Sequence, residues 1–86
     1  MNINDLIAIV KKKIKKNISL QSIDVEDKTF LHKNHKGYDS KKFHIKLIIK
    51  SSELKKVNKI KATKKIYFIL KKELNDYIHS IQILIN

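Results

Sequence analysis

The chain has no cysteine, no proline and a single glycine, Gly37. Without cysteine a disulfide framework is excluded, and so is any metal site built from the chain's own thiolates. A metal bound here needs histidine, carboxylates or a partner's sulfur. Long hydrophobic runs are also missing. No apolar run exceeds five residues, as at 6–10, far short of the ~20 apolar residues that span a bilayer. The N-terminal stretch lacks the basic and apolar regions of a secretion signal, so the expected compartment is the cytoplasm and no membrane partner is expected. Enzyme signatures are absent too. There is no P-loop, no H-E-x-x-H helix, no Gly-rich phosphate cradle and no evident nucleophile–base pair. Asp24, Glu26 and Asp27 are close in sequence, but a strand would divide them between two faces. The expectation is a binding protein without enzymatic activity and without a small-molecule substrate.

Acidic residues are scarce, 8 against 20 basic ones, for a net charge of +12. Such a balance suits nucleic acid or an acidic partner. It equally suits a lysine-biased composition that fills solvent faces. What remains is sufficient for a fold: 86 residues, 42% of them hydrophobic, bound one small domain over residues 1–86.

Periodicity supplies the elements. Ile3, Leu6, Ile7, Val10 and Ile14 form one stripe of a helix over residues 3–16, with Asn2 or Asn4 as cap and Asp5 at the positive end. Residues 20–27 alternate, with Ile23 and Val25 on one side, and predict a strand. A long loop follows over 28–41, with Gly37, His32 and His35. Residues 42–50 alternate again through Phe43, Ile45, Leu47 and Ile49, as an antiparallel partner strand with His44 on the polar, solvent-exposed side. A helical turn at 51–54 leads to one long helix over 58–75, capped by Asn58, with Ala62, Ile66, Ile69, Leu70 and Leu74 as its buried stripe. Asn75 and Asp76 then turn the chain into a last strand over 77–85, where parity places His79 with Ile81, Ile83 and Ile85. Phe30, Phe43, Tyr67 and Phe68 read as core or rim. The order is αββαβ, an α+β fold with a three-stranded sheet, helices on one face and a crossover into the last strand.

Three segments resemble the BolA family, and together the likeness covers residues 20–85. Val25-Glu26-Asp27-Lys28-Thr29-Phe30-Leu31-His32-Lys33-Asn34-His35 is similar to the family's strand end and loop, D-x-S-x-x-H with a second His three residues on. Phe43-His44-Ile45-Lys46-Leu47-Ile48-Ile49-Lys50-Ser51 is similar to H-F-x-V-x-I-V-S, with Lys42 read at the position of the family's His. Lys65-Ile66-Tyr67, Glu73-Leu74 and Ile78-His79-Ser80-Ile81 resemble L-V-Y, E-L and I-H-A-L. The family's R-H-R at the start of the long helix reads Ala62-Thr63-Lys64, and its F-x-G-K turn reads Leu54-Lys55-Lys56-Val57.

The resemblance implies a type II KH-like fold and a partner role. It implies a monothiol glutaredoxin as partner and a shared [2Fe-2S] cluster, for which the glutaredoxin and a glutathione supply sulfur. On this side it implies His79 as an iron ligand, with a loop histidine, His32 or His35, beside it. On pattern alone His79 is a structural histidine at a strand end; the resemblance makes it a ligand. The alternative is a DNA-binding regulator. The G-x-x-G loop of single-strand-binding KH domains is absent. The DNA candidates are therefore Lys55, Lys56, Lys59, Lys61, Lys64 and Lys65, which would meet phosphates without reading sequence.

Overall fold

A computed structural model describes residues 1–29 and 42–86. Helix α1 (Ile3–Asn17) is followed by strands β1 (Ser22–Asp27) and β2 (Phe43–Lys50), helices α2 (Ser52–Lys55), α3 (Lys59–Ile69) and α4 (Lys71–Asp76), and strand β3 (Ile78–Ile85). The sheet order is β1-β2-β3, with β1 antiparallel and β3 parallel to the central strand. The expected mixed α/β fold, with one three-stranded sheet under a layer of helices, is what forms.

The apolar stripes explain the layer. Leu6, Val10 and Ile14 of α1, and Ala62, Ile66 and Leu70 around α3, meet Ile23, Ile45, Leu47 and Ile49 of the sheet in one buried core. Asp24, Glu26, Gln82 and Leu84 point to the sheet face opposite the helices and are exposed, while Ile48 is half-buried there. Helix starts are satisfied as the sequence suggests. Asn2 Oδ1 accepts from Asp5 N–H at 2.8 Å and Asn58 Oδ1 from Lys61 N–H at 2.8 Å. Ser51, fully buried, caps α2 by accepting from Leu54 N–H while its hydroxyl donates to the Ser19 carbonyl at 2.7 Å.

The single helix expected over 58–75 is two. Leu70 (φ −98°, ψ 16°) leaves helical geometry and separates α3 from α4. The buried stripe runs through the break, from Ala62, Ile66 and Leu70 on to the charged Glu73, so the period of burial does not reveal it. Asn75 and Asp76, expected as a turn, are the end of α4; the turn residue is Tyr77, whose N–H donates to the Glu73 carbonyl at 2.8 Å. Tyr67 and Phe68 are neither core nor rim but exposed. Among the described residues no helix is long and apolar enough to cross a membrane.

A candidate histidine site on the β2–β3 ladder

The site is set by where β3 enters the sheet. Phe43 N–H donates to the Tyr77 carbonyl at 2.8 Å, and Phe43 pairs with Ile78. The next pair is His44 with Ser80, so the register shifts and His79 is the extra residue. Such a bulge bends the strand and re-aims a side chain. Its effect is visible in burial: Ile78 is in the core and Ile81 packs against it, although strict alternation would put residues three apart on opposite faces. His79 is exposed and its ring lies beside that of His44, with centroids 4.8 Å apart and planes at 49°. His79 therefore does not share a face with Ile81, Ile83 and Ile85, as parity alone predicts; the bulge lies between them.

His44 is the larger correction. Alternation predicts it on the solvent-exposed side, yet it is only 6% exposed. Its Nδ1 lies 2.6 Å from Ser80 Oγ across the ladder, a small partner that leaves room for the ring. Its backbone is engaged on the other side: its N–H donates to Thr29 Oγ1 at 3.1 Å, and its carbonyl accepts from Lys28 N–H at 2.7 Å. Thr29 is in turn held by Asp27, whose Oδ1 accepts the Thr29 N–H at 2.9 Å and its hydroxyl. These bonds close an Asx-type turn at the end of β1. The missed signal was in the sequence. The eight-residue pattern H-F-x-V-x-I-V-S, counted back from Ser51, begins at His44 and not at Lys42.

His32 and His35, like Phe30, Gly37 and Tyr38, lie outside the described residues. Thr29, the last described residue before that segment, is bonded to His44. Among the described residues no three His, Cys, Asp or Glu side chains converge into a metal site. Chemically, the arrangement offers one accessible imidazole at a strand bulge, against a second imidazole fixed by a hydroxyl and by its backbone. An imidazole so placed can complete a coordination sphere whose other donors come from elsewhere.

The lysines form a separate surface. Lys55, Lys56, Lys59, Lys61, Lys64 and Lys65 are all exposed along α2 and α3. Lys65 is not independent: its Nζ lies 2.9 Å from Glu53 Oε2. That hydrogen bond, with a second from Ser19 N–H, holds the Glu53 carboxyl below its ordinary range.

Comparison with known proteins agrees with this architecture. The chain is 32% identical over 73 residues, 85% of its length and 68% of the relative's, to a protein of Haemophilus influenzae named DNA-binding transcriptional regulator BolA. Its fold is similar to the BolA domain of SufE1 from Arabidopsis thaliana (TM-score 0.82, 24% identity, covering 99% of this chain and 94% of that one). It is similar also to BolA1 of the same plant (TM-score 0.76, 22% identity, 93% and 88%). Residues 14–86 match the family model for BolA-like proteins, and the chain belongs to the BolA family.

Proposed function

We propose that this protein is a non-enzymatic partner of a monothiol glutaredoxin and shares a [2Fe-2S] cluster with it, in cluster trafficking or in iron and redox regulation. The observation that carries the reading is His79, an exposed imidazole raised on the β3 bulge beside the buried His44. The donor set is compatible with a cluster shared with a partner. A chain without cysteine cannot supply the thiolates that hold such a cluster, and its described residues contain no three-donor group. A partner that brings sulfur leaves one or two positions for imidazole. His79 would take one; His32 or His35 would take the other. Histidine in place of thiolate on one iron raises the reduction potential, which is the chemistry the cluster would gain here. His44 would not be a ligand. It lies against His79 and is tied to Ser80, so it would fix the ring's surroundings.

The test mixes the chain with a monothiol glutaredoxin and glutathione, reconstitutes the cluster, and compares wild type with His79→Ala by visible absorption and circular dichroism. A mixed-cluster spectrum that is changed or lost in the variant is expected. An identical spectrum would sink the assignment.

A second reading has its own support in the relative named as a DNA-binding regulator and in the exposed lysines of α2 and α3. With Lys65 engaged by Glu53, Lys55, Lys56, Lys59, Lys61 and Lys64 would meet phosphates. Duplex binding would then weaken steeply with salt, with a slope near −0.9 per phosphate contact. No binding to duplex DNA at ~50 mM salt, where counterion release is strongest, would remove it.

A further inference from the structure

Helix α3 is apolar on two opposite sides. Ala62 and Ile66 face the core. Ile60, Tyr67 and Phe68 are exposed to 69%, 45% and 79%. At about 100° per residue, positions 60, 64, 67 and 68 fall on one side of the helix, turned away from 62 and 66. The three apolar side chains therefore make a line of roughly 12 Å along the outer surface, from the rise of about 1.5 Å per residue. A helix with one docked face has no packing need for this second stripe, and exposed apolar groups gathered together mark an interaction surface.

Two properties identify what covers it. The first is charge. Lys59, Lys61, Lys64, Lys71 and Lys72 are exposed around the stripe, so the occupant carries negative charge as well as apolar depth. The second is shape. Ile60 and Tyr67 line one shallow depression with Lys59 and Lys64; Phe68 lines another with Lys13, Lys71 and Lys72. Phe68, more than three-quarters exposed, protrudes as a ridge at the rim of the second. A protruding phenyl ring is buried by an occupant that closes around it, and a fluid surface does so without a preformed pocket. Duplex DNA supplies the charge without the apolar depth. An anionic bilayer surface supplies both, and lysine stems reach over the apolar zone to hold their ammonium groups at the headgroups. We propose that the outer face of α3 docks on anionic membrane surfaces, with Phe68 and Ile60 entering the headgroup–acyl boundary. This departs from the expectation of no membrane partner. It uses a different surface from the histidine site and stands or falls independently of it.

The chain has no tryptophan, so one can be placed as a reporter. Phe68→Trp puts it on the ridge, and Leu84→Trp puts it on the face of the sheet opposite the helices, at a residue that is also exposed. Each full-length variant is titrated with phosphatidylcholine vesicles, with and without phosphatidylglycerol, at physiological ionic strength. The expected result is an emission shift to shorter wavelength for Phe68→Trp only, and only with phosphatidylglycerol. In co-sedimentation, Ile60→Ser/Phe68→Ser, which leaves the charge unchanged, is expected to weaken binding by about tenfold or more. Lys64→Gln is expected to weaken it about fivefold. Circular dichroism confirms that each variant is folded. The proposal is overturned by absence of binding, by equal shifts at positions 68 and 84, or by binding that the serine variant leaves intact. It is also overturned if duplex DNA or an acidic peptide gives the same shift at position 68, since the occupant is then not a bilayer.

Discussion

Removing the Lys13 ammonium should cost this fold a large part of its stability. Lys13 Nζ lies 2.7 Å from Glu73 Oε2, tying α1 to α4 across 60 residues of sequence. The two ends differ in solvation: the Lys13 side chain is 39% exposed, the Glu73 side chain 5%. Glu73 Oε1 is buried and has no hydrogen-bond partner among the described residues, so Lys13 is the main compensation for that carboxylate. Breaking a fully buried pair by deleting one partner costs about 3–5 kcal/mol. Lys13 is partly hydrated, and water can follow where its side chain is removed, so we expect about 2–3 kcal/mol for Lys13→Met. At about 0.05–0.15 kcal/mol per residue, a domain of this size holds roughly 4–13 kcal/mol in all. The thermal midpoint should fall by roughly 10–20 °C.

The reasoning is tested most sharply by the double variant. Lys13→Met with Glu73→Leu removes both charges and fills the site with apolar side chains, and should recover most of the loss. Urea unfolding followed by circular dichroism measures all four corners of the cycle. A cost below about 0.5 kcal/mol for Lys13→Met, or a double variant as unstable as the sum of the singles, refutes the argument. The effect also reaches the site. The Glu73 carbonyl receives the Tyr77 N–H, and the Tyr77 carbonyl receives the Phe43 N–H, so α4 sets where β3 begins. The ring resonances of His79 should therefore shift in Lys13→Met even where the chain is still folded.

Other substitutions probe single contacts. Ser51→Ala removes both the α2 cap and the tie to the Ser19 carbonyl and should cost about 1–2 kcal/mol by urea midpoint; a change under about 0.5 contradicts the buried double role. Ser80→Ala deletes the 2.6 Å contact to His44 Nδ1 and should alter the His44 imidazole ¹⁵N shifts, with about 1 kcal/mol lost; unchanged shifts would mean the hydroxyl does not set the tautomer. The Glu53 carboxyl is lowered from its ordinary 4.5, first by the Lys65 hydrogen bond. Its folded pKa lies below its unfolded one. Its contribution is therefore present above about pH 4.5 and lost as pH falls through the lower folded value. In Lys65→Ala the Glu53 ¹³C titration should move back up toward the ordinary value, and an unmoved curve would assign the shift to the Ser19 amide instead.

Most of the fold was legible because it is written in two periods. The stripes of α1 and α3 and the alternation of β1 and β2 name their own buried faces, and the caps Asn2 and Asn58 sit where short polar side chains precede apolar periods. What was not legible has no period. The break at Leu70 involves neither glycine nor proline and leaves the buried stripe in phase. The burial of Glu73 depends on Lys13, 60 positions away, and no local pattern records that partner. Phe68 was misread for the converse reason: an aromatic residue in an apolar stretch suggests core, and only its angular position on α3 shows that it faces outward.

The histidine site shows why such misreadings gather where function is expected. Alternation locates β3 from Ser80 on and fails before the shift, where it misplaces both Ile78 and His79. From Ile81 onward parity is right; at the Phe43/His44 register shift it fails, and His79 is the residue displaced. The same shift turns His44 from an apparent surface residue into the buried neighbour of His79. A regular ladder would have placed the His79 ring toward the core with Ile81, where no partner protein could reach it. The bulge keeps Ile78 and Ile81 both in the core and lifts one imidazole out between them. The departure from the strand's rule thus makes His79 accessible without giving up the apolar packing on either side, as the proposed shared ligand would need.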